Sequence, residues 1–179
     1  MSQFCLQDLD PETYRRDTRK SSLVIVVIFA ILGMVLASLL VAWLGTPGGS
    51  NFRWNLLGVL SGVLMTFLLV KYYLSHLPFM QSAVYGWHLK RNLMRVTNHM
   101  HRIKPLAEAK NPEALKVLRF YHLAVEQMHR LDGNEANPLE IKAEKLAIEA
   151  LLQEQGIELD QRCLNSESVK LLADKTAEA

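Results

Sequence analysis

The chain contains no acidic residue between Asp17 and Glu108, although its 179 residues include 18 aspartates and glutamates. Because 20 lysines and arginines oppose these acids, the net charge is only +2, which argues against nucleic acid as a partner. Cysteine is also scarce. The two that occur, Cys5 and Cys163, match no metal-binding or redox spacing. We expect both to be reduced thiols in the cytosol, where disulfides are rare.

Motifs for catalysis and metal binding are also missing. We find no serine nucleophile elbow, no paired carboxylates and no phosphate-binding glycine loop; the glycine-rich residues 45–51 lack the Lys-Ser/Thr that such a loop requires. His122 and His129 are seven residues apart, whereas helical zinc ligands are three or four apart. The sequence therefore predicts no catalytic, cofactor-binding or metal-binding residue and no cofactor.

What the chain does have is a long apolar run over residues 21–44, without a single charge. A helix needs about 20 apolar residues to cross a bilayer core of about 30 Å, so this run is long enough. It is too long for the 7–15-residue apolar region of a signal peptide, and no small-residue cleavage site ends it. We expect an uncleaved membrane anchor whose helix begins near Pro11, with Asp10 as its cap.

A second apolar run follows the turn at residues 45–51, and interfacial Trp54 and Tyr73 extend it to about 54–73. The predicted domains are a cytosolic segment over 1–20, a transmembrane hairpin over 21–74 and a cytosolic helical domain over 75–179. Basic residues flank the hairpin, but the connecting loop holds only Arg53. The positive-inside rule then places both termini in the cytoplasm and the short loop outside.

Small residues recur at helical spacing in both apolar runs. Gly33 and Ala37 are four residues apart in the first, as are Gly58 and Gly62 in the second. Small residues let helix backbones approach closely in lipid. We interpret these four as helix-packing positions, either between the two spans of one chain or between two chains.

The remaining sequence predicts helices and no strand. One helix covers about residues 79–103 and closes at Lys104-Pro105; the next starts at the cap Asn111 and ends before Gly133. A third runs from Asn137-Pro138 to about residue 155, with Glu140 completing a capping box, and a last one covers about 166–175. The predicted fold is all-α: a two-helix transmembrane hairpin followed by a bundle of three or four helices.

The first helix after the hairpin is basic on one side. Its apolar stripe contains Leu89, Leu93 and Val96, and the cations lie elsewhere on the helix. The alternative is that these cations form an ordinary solvated face. The candidate contacts for anionic lipid are Lys90, Arg91, Arg95 and Arg102.

Several strings together carry a family resemblance: PETYRR at 11–16, NFRWN at 51–55, YGW at 85–87 with LKR at 89–91, LRFYH at 118–122 and LDGN at 131–134. With these strings the chain resembles a family of small two-span bacterial inner-membrane proteins classed as a domain of unknown function. The resemblance covers about residues 10–155. It implies an inner-membrane location and brings no activity or site residue.

The function that these observations favour is a membrane-anchored helical interaction or scaffold module without catalysis. Its expected partners are membrane lipid and either an unknown protein or a second copy of itself. Two alternatives remain. One is an accessory or pore-forming subunit of a transport system; the other is a membrane-bound enzyme with a pocket built from His88, Arg91, Arg95 or His122.

Overall fold

The computed structural model describes residues 3–134 and 139–175, with the backbone alone at 139–140 and 173–175. Its architecture is all-α, as predicted, apart from two three-residue strands. Two short 3-10 turns lie between the second and third helices. The elements are α1 (Pro11–Leu44), α2 (Phe52–Tyr72), α3 (Gln81–Asn98), α4 (Met100–Glu108), α5 (Pro112–Asp132), α6 (Leu139–Glu154), α7 (Ser166–Lys175), β1 (Gln3–Cys5) and β2 (Cys163–Asn165).

The chain divides into two compact units. The apolar unit is residues 15–84 and contains α2 and most of α1. The helical unit combines residues 3–14 with the described residues from Tyr85 onward. The short 3-10 turns after α2 and the first residues of α3 belong to the apolar unit, and the predicted membrane and cytosolic segments stay a prediction.

The apolar unit contains two helices that are long and apolar enough to cross a membrane. Only 11% and 17% of their most apolar 18-residue windows are buried, so most of this apolar surface is not covered by the described residues. Asp10 accepts a hydrogen bond from the Thr13 backbone at 2.8 Å, which explains why α1 begins at Pro11. The hydroxyl of the fully buried Ser21 lies 2.7 Å from the Phe79 carbonyl oxygen.

In the helical unit α5 is the central helix, with α4, α6 and α7 packed against it. The Asn111 side chain accepts from two first-turn amides, and Gly133 takes the left-handed conformation that ends the helix, as predicted. Because neighbours surround α5, residues on almost every side of it are buried, including the polar side chains of Arg119, His122 and Gln127.

The prediction that one helix runs from 79 to 103 and closes at Lys104-Pro105 is wrong. The helix breaks earlier, at His99, and a new helix begins at Met100. Pro105 lies in the second turn of α4, where its missing N–H removes one hydrogen bond without ending the helix. The helix ends at Glu108, and Lys110 then adopts a φ of +58°.

Two further predictions are wrong: that no strand occurs, and that the cysteines are free thiols. β1 and β2 pair antiparallel with Cys5 opposite Cys163, and the two sulfur atoms form a disulfide. The Leu6 amide continues the pairing with a 2.9 Å hydrogen bond to the Arg162 carbonyl. Strands of three residues carry too few alternating positions to produce a recognisable period of two.

Of the predicted third helix, the described part ends at Glu154, followed by Gly156 with a φ of +68°. Its predicted capping box lies outside the described residues, since Asn137 and the side chain of Glu140 are not among them. The last helix, α7, has the predicted bounds.

Candidate functional site

The four small residues of the apolar helices face each other within one chain. A Cβ added to Gly62 would lie 2.7 Å from the Gly33 Cα, and one added to Gly58 would overlap the Ala37 backbone. Glycine is therefore required at both positions of α2 for this approach. By contrast, a Cβ on Gly33 would meet only the Phe29 ring, at 3.8 Å.

One basic residue of α3, Arg91, lies on a surface that also exposes large apolar side chains. Trp87 and Met94 are 55% and 64% exposed, and the Arg91 guanidinium lies 4.8 Å from the centre of the Trp87 ring. We call Trp87, Arg91 and Met94 the α3 face, since their spacing of four and three residues places them on one side of the helix.

The other cations near the α3 face have protein contacts. Lys90 forms a 3.0 Å ion pair with Asp132 at the end of α5, and Arg95 donates to Asn92 within α3. Arg102 is half-buried, on α4, and also has an interaction partner. Of the four predicted lipid contacts, Arg91 is therefore the one that stands beside exposed apolar side chains.

A cavity of about 450 Å³ lies between α5, α6 and the segments next to the two strands. We call it the basic cavity, because its lining includes four cations and one carboxylate. The lining residues are Leu6, Arg119, Leu123, Glu126, Gln127, Arg130, Lys145, Leu159 and Arg162.

Arg119 is the most buried cation of the basic cavity, at 7% exposure. Its Nε donates to Glu149 at 3.2 Å and its Nη1 donates to Gln161 at 3.3 Å. Two acceptors on different segments thus fix the plane of the guanidinium. Such a group is costly to bury without a partner, which explains why Glu149 lies beside it.

The other lining charges are less buried. Lys145 pairs with Glu126 at 2.7 Å, joining α6 to α5. Arg130 forms a 3.3 Å pair with Asp8, in which both side chains are more than half exposed. Exposed pairs of this kind contribute about 0–1 kcal/mol, so they exchange readily for another anion.

The N-terminal segment is fixed beside this cavity by a buried tyrosine. The Tyr85 hydroxyl donates to Gln127 Oε1 at 2.8 Å and accepts from the Gln7 amide at 3.1 Å, while Gln127 Nε2 donates to the Gln7 carbonyl. Burial raises the pKa of Tyr85 above its ordinary value, so the hydroxyl keeps its proton and remains a donor. Gly86 follows Tyr85, and a Cβ at this position would overlap the Tyr14 hydroxyl, so the buried Tyr14 ring would have to shift.

A second, smaller cavity of about 210 Å³ lies between α4, α5 and α6, and His122 lines it. His122 is 4% exposed; its Nδ1 has no hydrogen-bond partner among the described residues, and its Nε2 lies 3.6 Å from Glu144 Oε2. Burial lowers the pKa of His122, with Glu144 opposing and Lys104 and Lys145 reinforcing the shift. The ring is therefore neutral near pH 7.

The enzyme alternative would be favoured if His88, Arg95, His122 and Glu126 converged on one cleft. His122 lines the smaller cavity and Glu126 the basic one, whereas the His88 ring stacks on Phe4, with 6.5 Å between ring centres. Among the described residues no three histidine, cysteine or acidic side chains are placed to hold a metal ion.

The sequence prediction missed the basic cavity, although one signal was present. Arg119, Glu126 and Arg130 are separated by seven and four residues, so they lie on one face of α5 together with Leu123. A charged face on a helix with an otherwise apolar pattern indicates a polar cavity or an ion-pair network. Lys145 and Arg162 come from distant segments, and no local pattern predicts their approach.

These features define an all-α protein with two candidate membrane helices and a separate helical unit that contains a cation-lined cavity. The profile of the family described as "Protein of unknown function (DUF3087)" matches residues 4–169. The chain belongs to this family, which confirms the predicted resemblance to a domain of unknown function. No curated protein and no solved structure matches the chain significantly.

Proposed function

We propose that the protein is a membrane-anchored helical interaction module of the bacterial inner membrane, in which α1 and α2 cross the bilayer as a hairpin. The observation that carries the proposal is the exposure of the apolar helices: their leucines, valines and phenylalanines contact little protein. Such a surface on two long helices would be unstable in water and is suited to lipid.

The disulfide supports a hairpin rather than a single crossing. Cys5 precedes the two apolar helices and Cys163 follows them, so their bond requires both ends of the chain to lie on one side of the membrane. The backbone contact of Gly62 with Gly33 supports paired spans in the same chain. An even number of crossings satisfies both observations.

The charge distribution supports a cytoplasmic position for both ends, since basic residues flank the hairpin and Arg53 alone lies in its loop. On that side the α3 face would meet the anionic leaflet. Trp87 suits the interfacial region, and each nearby cation adds about 1 kcal/mol of attraction. Since the cytosolic glutathione pool reduces most disulfides, a cytoplasmic position requires that the Cys5–Cys163 bond resist this reduction or form only transiently.

Alkaline carbonate extraction tests the anchoring. The full chain is expected to remain in the membrane pellet, because two spans hold it there by apolar burial and not by charge. Release of the chain into the supernatant would contradict the proposal.

The interaction role rests on α6. Ala143, Leu146 and Ala150 form an exposed apolar stripe on this helix, and Leu146 is 63% exposed. We propose that the stripe binds the same stripe of a second copy, because small residues on both sides of one leucine allow two helices to approach closely in a two-fold pair. Membrane anchoring raises the local concentration of copies and favours such a contact.

A photoreactive amino acid at position 146 tests this contact in intact membranes, and Leu171 on α7, which is 61% exposed, provides the matched control. Position 146 is expected to yield a crosslinked dimer and position 171 the monomer. A monomer at both positions, or a crosslink from 146 to a different protein alone, would overturn self-association.

A further inference from the structure

We propose that the basic cavity is a binding site for a small oxyanion, a phosphate or carboxylate group carried on an apolar body. This goes beyond membrane anchoring and self-association. Its basis is that cations from α5, from α6 and from the segment before β2 converge on one cavity of the helical unit: Arg119, Arg130, Lys145 and Arg162.

The charge balance of the cavity favours an anion. The four lining cations face one lining carboxylate, Glu126, and the carboxylates of Glu149 and Asp8 pair with two of the cations from outside the lining. Arg162 is the lining cation that has no ion-pair partner among the described residues, while the Asp160 carboxylate accepts from Gln161, the residue that bonds Arg119. An anionic ligand would pair with Arg162 and replace the exposed Asp8 at Arg130.

Arg119 provides the fixed element of the site. The bonds to Glu149 and Gln161 use two of the five N–H donors of its guanidinium and hold its plane. A guanidinium held in this way binds phosphate or carboxylate oxygens with little further loss of conformational freedom. Arg162 is more exposed, and its backbone carbonyl is fixed by the Leu6 amide beside the disulfide.

The apolar part of the lining defines the rest of the ligand. Leu6, Leu123 and Leu159 come from three segments and give the cavity hydrophobic walls beside its cations. A volume of about 450 Å³ falls within the range of small-molecule sites, about 300–1,000 Å³. Inorganic phosphate would fill only part of this space, so an organic anion is the better fit.

Calorimetric titration of the full chain in neutral detergent at fixed ionic strength tests the proposal. The probes are phenyl phosphate, benzoate and, as the uncharged control, benzyl alcohol. We expect saturable binding of one anion per chain, with the two anions distinguishing a phosphate site from a carboxylate site. Absence of saturable binding for both anions, or equal binding of benzyl alcohol, would overturn the proposal.

Variants then locate the site. Arg162→Gln is preferred to a change at Arg119, because Arg162 is exposed and its loss is compatible with folding. Removing one charge-assisted hydrogen bond should weaken the better anion about tenfold or more. Lys142→Gln is the matched control, since this exposed α6 lysine lies one turn before Lys145 but outside the lining. Equal weakening by both variants would mean that the anion binds to general surface charge and would overturn the assignment.

Discussion

The close approach of α1 and α2 predicts that an alanine at Gly62 separates the two helices, whereas an alanine at Gly33 does not. A Cβ at position 62 would lie 2.7 Å from the Gly33 Cα and 2.9 Å from its nitrogen. Both atoms belong to backbone, so they cannot rotate away, and relief requires the helices to move apart by about 1 Å.

The expected cost of Gly62→Ala is about 1–3 kcal/mol, as for other over-packed sites. Both substitutions add the same methyl group to a helix and gain the same helix propensity, so their difference isolates the packing term. At Gly33 the new methyl group meets only the Phe29 ring at 3.8 Å, an ordinary contact.

Pyrene labels at Val27→Cys and Leu68→Cys, in a chain without its native cysteines, report the pairing of the helices as excimer emission. Titration with SDS in mixed micelles then gives a midpoint of separation for each variant. Gly62→Ala should separate at a clearly lower SDS fraction than Gly33→Ala. Equal midpoints, or a lower one for Gly33→Ala, would refute the intramolecular packing and favour contact between chains.

Three further predictions concern the helical unit, each measured by chemical unfolding of the full chain in detergent. Tyr85→Phe should lower the free energy of unfolding by about 1–3 kcal/mol, because it leaves Gln127 and the Gln7 amide without a hydrogen bond. The control is Tyr121→Phe at a half-buried tyrosine, which should change the free energy by less than about 0.5 kcal/mol. Equal losses would contradict the hydrogen bonds of Tyr85. Cys5→Ala should lower the free energy of unfolding by about 2–4 kcal/mol, because the bond to Cys163 closes a loop of 158 residues. Chemical reduction of the unchanged chain should cause the same loss. A stability that reduction leaves unchanged would contradict the disulfide. The free energy of unfolding should fall as the pH drops from 7.5 to 5. In the unfolded chain His122 binds a proton near its ordinary pKa of 6.5, whereas the folded ring, whose pKa is lowered, does not. His122→Gln should make the free energy of unfolding less dependent on pH, and an unchanged dependence would contradict the buried neutral ring.

The helices of this protein were largely predictable because their signals are local. The Asp10-Pro11 and Asn111-Pro112 pairs mark helix starts by capping, and Gly133 marks an end by its left-handed conformation. The length and composition of the two apolar runs were sufficient to predict the two candidate membrane helices. Each of these signals lies within a few residues of the feature that it predicts.

The features that were missed depend on long-range pairing. Each strand has only three residues. Cys5 can bond to Cys163, which is 158 residues later, only because β1 pairs with β2 in the folded protein. The thiol prediction rested on the expected compartment and not on geometry, which explains its failure. Pro105 misled for a different reason: a proline in the second turn weakens a helix without ending it.

The basic cavity was predictable in part, because some of its lining residues show a local pattern and others come from distant segments. The face of α5 with Arg119, Glu126 and Arg130 is visible in the sequence as a spacing of seven and four residues. That Lys145 and Arg162 complete the cavity follows only from the tertiary fold. Convergence of cations from separate segments is therefore the part of the candidate site that required the structure.

We infer that α1 and α2 cross the membrane as a pair with the helical unit on the cytoplasmic side, and labelling of single cysteines in spheroplasts tests this topology. In a chain without native cysteines, Ser50→Cys lies in the loop between the apolar helices and Glu167→Cys lies on exposed α7. A membrane-impermeant maleimide should label position 50 in intact spheroplasts and position 167 only after lysis. Labelling of position 167 before lysis would show that the helical unit lies outside the cytoplasm and would rule out this topology.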